Sequence, residues 1–591
     1  MNIRAAGCIT LAVGLLAVAA LSGPVRFRTG ACAGTEMPGG TGEICAGKCP
    51  LSLRGLLASS RPADTIAVWI FFSDRGGAER RMPGETHCVS PRAASRRSLR
   101  GREPFDARDL PVFQGYIDSL RGHVARFRHA SRYFNAVSVE VQAREIPAVC
   151  GSDFVKSVDR IAAYRRLPDP PGYPARAASS ASLNPDIHLS RYGGSFDQLN
   201  QVGVIELLEK GYNGSGTVSG SPAILIAILD TGFKLDHEAL ADVEVEAQWD
   251  FVQGDSVTAN QTGDSPDQDT HGTTVLGVIA GCSEGSLIGP AWGARYLLAK
   301  TEIRDEEIRI EEDHWVAGIE WADSAGADVV TSSLGYIDWY TQSSLDGNTA
   351  LCTRAADIAV SHGIVVVNSA GNQGLAGLVA PADGDSVLAI GAVDESGAIA
   401  SFSSRGPTAD GRVKPDFVAM GLGVQSVSYA DPFGFAAYNG TSFAAPLAAG
   451  VCALLLERHP EWDPVDVRTA LRATSSKSGF PDDTYGWGIP DAGLASRYPE
   501  SFASPAAFPN PFSAETKLSL SLPAPGPMKV RVYNCAGALV RTLAEGSAVQ
   551  RSLTLTWDGT DERGTRVAGG VYFLRIDSRT LTRTVKLILI R

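Results

Sequence analysis

Between residues 224 and 393 the chain carries five short, nearly continuous apolar runs: Ile224–Leu229 (ILIAIL), Tyr296–Ala299, Ala327–Thr331, Ile364–Asn368 (IVVVN) and Val387–Val393. A strand with one wet face alternates apolar and polar residues. A strand that is apolar at every position suits burial on both faces, as in a parallel sheet covered by helices. Helical stretches lie between the runs, among them Glu312–Ala325, with Trp315, Ile319 and Ala322 on one stripe, and Cys352–His362. The alternation predicts an α/β unit with helices on both sides of its sheet, from about Asn184 to Tyr498.

The 591-residue chain is too long for one core, and its flanks read differently. Thr65–Phe72 (TIAVWIFF) and Ala136–Val141 (AVSVEV) read as strands, Val112–Arg128 as an amphipathic helix, and a second helix begins near Arg144. Together these predict a small α+β unit. The basic stretch Pro91–Arg102 (PRAASRRSLRGR) reads as a solvated loop. Leu167–Ser182, rich in Pro, Ala and Ser, marks an exposed boundary open to proteolysis. After Ser501 come short strand-like runs, Thr516–Leu522, Lys529–Tyr533, Ser552–Trp557, Val571–Ile576 and Leu581–Ile590. Turn signals such as Asp558-Gly559 separate them, which predicts a β-sandwich.

At the N-terminus, Arg4 precedes the apolar run Cys8–Leu21 and the small residues Ser22 and Gly23. That run is too short for a hydrocarbon core of ~30 Å but suits a secretory signal, so export is expected and no transmembrane anchor. Cys8 leaves with the signal. Five of the remaining cysteines, Cys32, Cys45, Cys49, Cys88 and Cys150, lie in the N-terminal region, where an oxidising compartment permits bridges without fixing their pairing. Cys452, in an apolar helix, reads as a buried small hydrophobe. A formal charge of −12 argues against nucleic acid as a partner.

Four segments carry polar groups suited to joint chemistry. Asp230 ends an apolar strand before Thr231-Gly232, where a carboxylate can hold an imidazole in one tautomer. His271 lies near a predicted helix start in Asp269–Gly281 (DTHGTTVLGVIAG), and Ser442 precedes the helix Leu447–Glu457 in Asn439–Gly450 (NGTSFAAPLAAG). A nucleophile at a helix N-terminus gains from the partial positive charge there. Asn372 follows a buried strand in Ile364–Gly374 (IVVVNSAGNQG) and offers a neutral donor to an oxyanion, with the Ser442 N–H as the second. Each signal is weak alone. In the order Asp, His, Asn, Ser, each at a strand end or helix start, they are jointly strong.

Those segments resemble the subtilisin-like serine protease family over about Gly216–Ala495. The motifs are Leu229-Asp230-Thr231-Gly232, His271-Gly272-Thr273, Ala370-Gly371-Asn372 and Gly440-Thr441-Ser442-Phe443-Ala444-Ala445-Pro446. The resemblance implies a catalytic triad of Asp230, His271 and Ser442 and an oxyanion donor in Asn372. It also implies a substrate held as an added strand between Ser333-Leu334-Gly335 and Ala370-Gly371. Where the family often has a second His, this chain has Thr274. No cofactor is implied. The family's calcium ligands are not recoverable, and Asp236, Asp264, Asp267 and Asp269 read as loop charge rather than a calcium site.

The flanks fit the same resemblance. The fold class this implies is α/β, a parallel-sheet subtilisin-like catalytic domain preceded by a small α+β propeptide domain and followed by an all-β sandwich. The expected divisions are a signal peptide over 1–23, a propeptide over 24–166, a processing linker over 167–190, the catalytic domain over 191–500 and the tail over 501–591. The tail resembles flagellar-hook-cap sandwiches through Phe508–Phe512 (FPNPF), Trp557-Asp558-Gly559 and Gly569–Phe573 (GGVYF). Related tails serve as sorting signals for type IX secretion, which implies a Gram-negative cell exterior. Expected partners are protein or peptide substrates, the chain's own propeptide as inhibitor, and the secretion machinery. Two rivals are a binding or adhesion protein on a degenerate protease scaffold, and a serine esterase. The intact reacting groups argue against the first. The absence of a Gly-x-Ser-x-Gly elbow around Ser442 argues against the second.

Overall fold

The computed structural model describes residues 47–77, 89–161, 191–304, 308, 310–498, 506–508, 510–521, 526–548, 552–578 and 582–590. The signal-peptide and linker expectations, and Cys32, Cys45 and Cys88, lie outside the described residues.

The first folded unit contains α1 (Leu51–Ser59), β1 (Thr65–Phe72), α2 (Pro91–Leu99), α3 (Gln114–Leu120), β2 (Val124–Ser131), β3 (Ala136–Gln142), α4 (Ile146–Gly151) and β4 (Val155–Arg160). Its antiparallel sheet runs β2-β3-β1-β4. The side-chain period of two splits β1 cleanly. Ile66, Val68, Ile70 and Phe72 enter a core with Leu120, Ile146 and Val149, whereas Trp69 and Phe71 join a second cluster on the other face. Cys49 and Cys150 lie in the first core, with their Sγ atoms 2.9 Å apart.

Two sequence expectations fail here. The helix expected over Val112–Arg128 stops at Leu120, and Val124 begins a strand. That strand pairs with β3 through two register shifts, which destroy the alternation by which a strand is read. The stretch Pro91–Arg102 is not a solvated loop. Pro91–Leu99 is a helix with Pro91 in its first turn and the Ser90 hydroxyl accepting from Ala93 N. Arg96, Arg97 and Arg100 are buried.

The second unit is a seven-stranded parallel sheet. Its strands are β5 (Leu225–Asp230), β6 (Glu244–Asp250), β7 (Arg295–Lys300), β8 (Val329–Ser332), β9 (Val365–Ser369), β10 (Leu388–Val393) and β11 (Phe417–Met420), in the order β11-β10-β9-β8-β5-β7-β6. All six pairings are parallel. Ile226 and Ile228 of β5 face a core with helices α5 (Thr270–Ala280) and α8 (Thr441–Arg458). Leu225, Ala227 and Leu229 face a second core with α6 (Ile310–Ala325) and α7 (Leu351–Ser361). Helix α8 is long and apolar enough to cross a membrane but is 94% buried, which makes it the central core helix. A third unit places a three-stranded sheet (Ala506–Phe508, Thr516–Ser521, Ser552–Trp557) with a four-stranded one (Gly526–Asn534, Leu539–Ala548, Gly570–Ser578, Thr582–Leu589). They share a core around Trp557 and Leu574.

The first unit docks on α6 through the sheet face that carries Trp69. Trp69 Nε1 donates to Asp313 Oδ1 at 2.7 Å, and the Ser138 hydroxyl donates to the same carboxylate. Glu320 receives the Ser131 hydroxyl and, at 3.0 Å, Arg132 N. These acids lie seven residues apart on one helix, hence on one face. Helix α2 adds a second clamp. Arg96 and Arg97 reach Asp323 at 2.6 and 2.8 Å, and Arg100 and Arg92 reach Asp328 at 2.7 and 2.6 Å. Arg132 and Tyr133 also converge on Asp323, as does His362 at 2.8 Å. Burial alone would push the Asp323 carboxyl up. His362, Arg96, Arg132 and Arg97 overcome it and hold the group well below the usual carboxylate range. Nearby, His129 Nε2 meets His314 Nδ1 at 2.7 Å. Burial, with Arg128 and Arg126 adjoining, pushes His129 down to about 4, so this pair is neutral at neutral pH.

Removing one partner from a buried charge network costs about 3–5 kcal/mol. Asp323→Ala is therefore expected to loosen the first unit by about that much. The readout is a lower urea midpoint of the full chain, followed by tryptophan fluorescence, to which Trp69 at the junction contributes. Because the carboxyl is held low, its contribution is in place above the ordinary aspartate value of about 3.9 and fades as pH falls further. The gap between variant and parent is then expected to narrow below about pH 4.

Candidate active site

The order of the parallel strands decides where a site can form. The chain lays β5 in the middle of the sheet, builds β6 and β7 on one side, then crosses to place β8, β9, β10 and β11 on the other. The reversal lies between β5 and β8, and a crevice opens there beyond the carboxyl ends of the strands. Asp230 ends β5, Ser333-Leu334-Gly335 follows β8, and Ala370-Gly371-Asn372 follows β9. These are the segments singled out in the sequence, delivered to one edge by three adjacent strands.

Asp230 is fully buried and His271 is the second residue of α5. The imidazole Nδ1 lies 2.7 Å from Asp230 Oδ1, and that oxygen also accepts from Thr231 N at 2.7 Å. With Nδ1 engaged by the carboxylate, Nε2 is the nitrogen that faces the cleft, and the side chain keeps about a third of its surface exposed. Close packing fixes the pair. A Cβ on Gly272 would lie 2.2 Å from Gly232 O, so only glycine lets α5 approach the end of β5 this closely. Thr274 closes its hydroxyl on the helix, donating to His271 O at 2.8 Å.

Ser442 is the second residue of α8, in a first turn whose N–H groups have no partner within the helix. Its hydroxyl donates to Ser333 O at 3.3 Å, and the Ser333 hydroxyl donates back to Ser442 O at 2.7 Å. The β8 loop and the α8 start are thereby tied together. The next side chain, Phe443, packs beside the imidazole, with ring centroids 6.0 Å apart.

Asn372 is oriented by Thr441, a residue whose part the sequence alone did not disclose. Its Oδ1 accepts from Thr441 N at 3.0 Å and from Thr441 Oγ1 at 2.9 Å. Two donors on one atom identify that atom as the oxygen, which turns Nδ2 outward. Gly440, at φ +146°, completes the arrangement. A Cβ there would stand 3.6 Å from Asn372 Nδ2 and 3.7 Å from Ser442 N. Glycine thus keeps open a space flanked by two N–H donors, the geometry an oxyanion needs. The visible signal was the Gly-Thr pair directly before Ser442.

The two walls are less free than their backbone suggested. Leu334 O already accepts from Asn368 Nδ2 at 2.9 Å, and Gly371 O accepts from Ser404 N at 2.9 Å. Ala370 N is used by Ile390 O at 2.9 Å. The four acids read as loop charge have separate partners. Asp236 pairs with Lys234, Asp267 lies 3.9 Å from Arg304, and Asp269 accepts from Tyr429 and Asn260. Asp264 is half-buried, with Lys300 Nζ at 2.7 Å. Burial would raise its carboxyl, but Lys300 holds it below the usual range.

Comparison with known proteins bears on all three units. The family model "Subtilase family" matches residues 221–488, "Peptidase S8 propeptide domain, Bacteroidota" matches 67–172, and "FlgD Ig-like domain" matches 509–581. The chain is 34% identical over 286 residues to subtilisin of Bacillus pumilus, covering 48% of this chain and 91% of that protein. It is also 34% identical to subtilisin E of Bacillus subtilis, where the match covers 48% of this chain and spans 66% of that protein's length. Among solved structures, fervidolysin from Fervidobacterium pennivorans, a keratinolytic enzyme related to subtilisin, aligns with a TM-score of 0.50 at 19% identity. That alignment covers 89% of this chain and 76% of fervidolysin and shows the fold.

The geometry around Gly440 makes a specific demand. Gly440→Ala places a methyl group between Asn372 Nδ2 and Ser442 N in a backbone conformation that L side chains rarely adopt. Labelling of Ser442 by a fluorophosphonate probe, whose phosphoryl oxygen needs that space, is expected to slow on the order of 10²-fold. That is the scale found for loss of one such donor in subtilisin.

Proposed function

Since the chain belongs to the subtilase family, we propose that it is a secreted serine endopeptidase, acting through an acyl-enzyme with Asp230, His271 and Ser442 as its triad. The observation that supports this most directly is the 2.7 Å contact between a fully buried Asp230 carboxylate and His271, at the crevice that also receives Ser442 and Asn372. Ser442 Oγ attacks the carbonyl carbon of a bound peptide while His271 Nε2 takes its proton. Asp230 keeps the imidazole in the tautomer that makes Nε2 the acceptor, then stabilises the imidazolium. The charge developing on the carbonyl oxygen is held between Asn372 Nδ2 and Ser442 N. The imidazolium gives its proton to the leaving amine. Water, deprotonated by the same imidazole, then releases the acyl group and restores Ser442. None of these steps uses a cofactor or metal ion.

The unit before the catalytic domain acts as the inhibitor of its own chain until the connection over 167–190 is cut. The carboxy-terminal sandwich acts as the sorting signal for export by type IX secretion machinery. Ser442→Ala is expected to abolish casein hydrolysis and to leave the chain uncut, as gel mobility and N-terminal sequencing would show. Casein cleavage by that variant at the parental rate overturns the assignment. Deleting 501–591 is expected to leave the peptidase active in lysates of a Gram-negative host with that machinery, but absent from the culture medium. Undiminished export of the truncated chain would refute the sorting role.

A further inference from the structure

The two walls of the cleft leave a gap between them, and Val379 closes it. This residue lies a few positions beyond the second wall, and its segment is pinned beside the first. Ala380 N donates to Tyr336 O at 3.0 Å and Tyr336 N donates to Ala380 O at 2.8 Å. The side chain of Val379 is buried, 3% exposed, and both of its methyl groups point into the gap. A Cβ on Gly335 would fall 2.1 Å from Val379 Cγ2. A Cβ on Gly371 would fall 2.9 Å from Cγ1 and 3.1 Å from Cγ2. The isopropyl group therefore rests against one glycine of each wall, and both glycines are needed for it to fit.

The position of that gap relative to the reacting atoms is set by the chain. Ser333, which opens the first wall, exchanges hydrogen bonds with Ser442. Gly371, on the second wall, directly precedes Asn372. A scissile carbonyl whose oxygen sits between Asn372 Nδ2 and Ser442 N has its own α-carbon one bond away, between the walls. The side chain on that α-carbon can only enter the gap that Val379 closes from below.

We infer that Val379 sets the depth of this pocket and restricts the residue on the acyl side of the scissile bond to small side chains, Gly, Ala or Ser. The inference rests on the proteolytic reading above and adds a substrate class to it. A pocket floor made of two methyl groups rejects larger residues by overlap. Discrimination in apolar pockets runs at roughly 10–200-fold per methylene, so Leu and Phe are excluded far more strongly than Val.

The test uses mature enzyme purified from the full chain, with Val379→Gly and Val379→Ala beside the parent. Fluorogenic peptides differ only in Ala, Leu or Phe before the cleaved bond, and fluorophosphonate labelling confirms that Ser442 is assembled in each protein. The parent is expected to favour Ala over Leu and Phe in kcat/KM by about 100-fold or more. Val379→Gly should shift the Phe-to-Ala ratio by about the same factor toward Phe, and Val379→Ala by less. A parent that takes Phe or Leu as readily as Ala, or a labelled Val379→Gly with the parental ratio, overturns the role of Val379 while leaving the proteolytic reading intact. If no peptide is cut and no protein takes the label, the proteolytic reading fails and the pocket assignment with it.

Discussion

The cleft depends on the order in which strands are laid into the sheet. Because the first strand of the catalytic domain occupies the middle, the connections on its two sides run over opposite faces. Their loops part at one place above the carboxyl ends. Asp230 stands at that place because it is the last residue of that strand. The β8 and β9 loops reach it because they extend from the two strands next in line. Helices α5 and α8 then bring His271 and Ser442 in from the same layer, α5 packed against β5 and α8 against β8 to β11. The buried carboxylate would be costly alone. The imidazole and the Thr231 N–H make its charge tolerable, so the pair is as much a condition of folding as of chemistry.

Glycine does much of the fine positioning, by permitting backbone and side chains to come closer than any other residue allows. Gly272 lets α5 reach the loop after β5, Gly440 keeps a space between two N–H donors, and Gly335 and Gly371 admit the methyl groups of Val379. In each case the missing Cβ defines a shape. At Gly440 the shape is an opening, and between the walls it is a floor.

Much of this was legible in the sequence, for identifiable reasons. Strands buried on both faces are apolar at every position, so β5, β7, β8, β9 and β10 stood out, to within two residues at either end. Among the strands that escaped, Val124–Ser131, Glu244–Asp250 and Leu539–Ala548 have pairing interrupted by register shifts. A bulge breaks the two-residue period on which a strand is recognised. The basic helix escaped for a different reason. Its arginines read as solvated because, Asp109 apart, the carboxylates that neutralise them, Asp323 and Asp328, lie more than 220 positions away. The residues around Asp230, His271, Asn372 and Ser442 were legible as motifs, but Val379 was not. Nothing local distinguishes a valine that fills a gap between two distant glycines from one that fills a core.

The union between the first unit and α6 also governs the fate of its two faces if they part. It combines hydroxyls, guanidinium groups and carboxylates with an apolar cluster of Trp69, Phe71, Phe134 and Ile161, which Leu351 of α7 joins. Had it been made of leucine and isoleucine, separation would bare two sticky patches, each an invitation to aggregate. Here the departing arginines and the abandoned acids Asp313, Glu320, Asp323 and Asp328 are all groups that water hydrates readily. On the proposed role of the first unit, the charged part of this joint thus stays soluble on both sides once it opens.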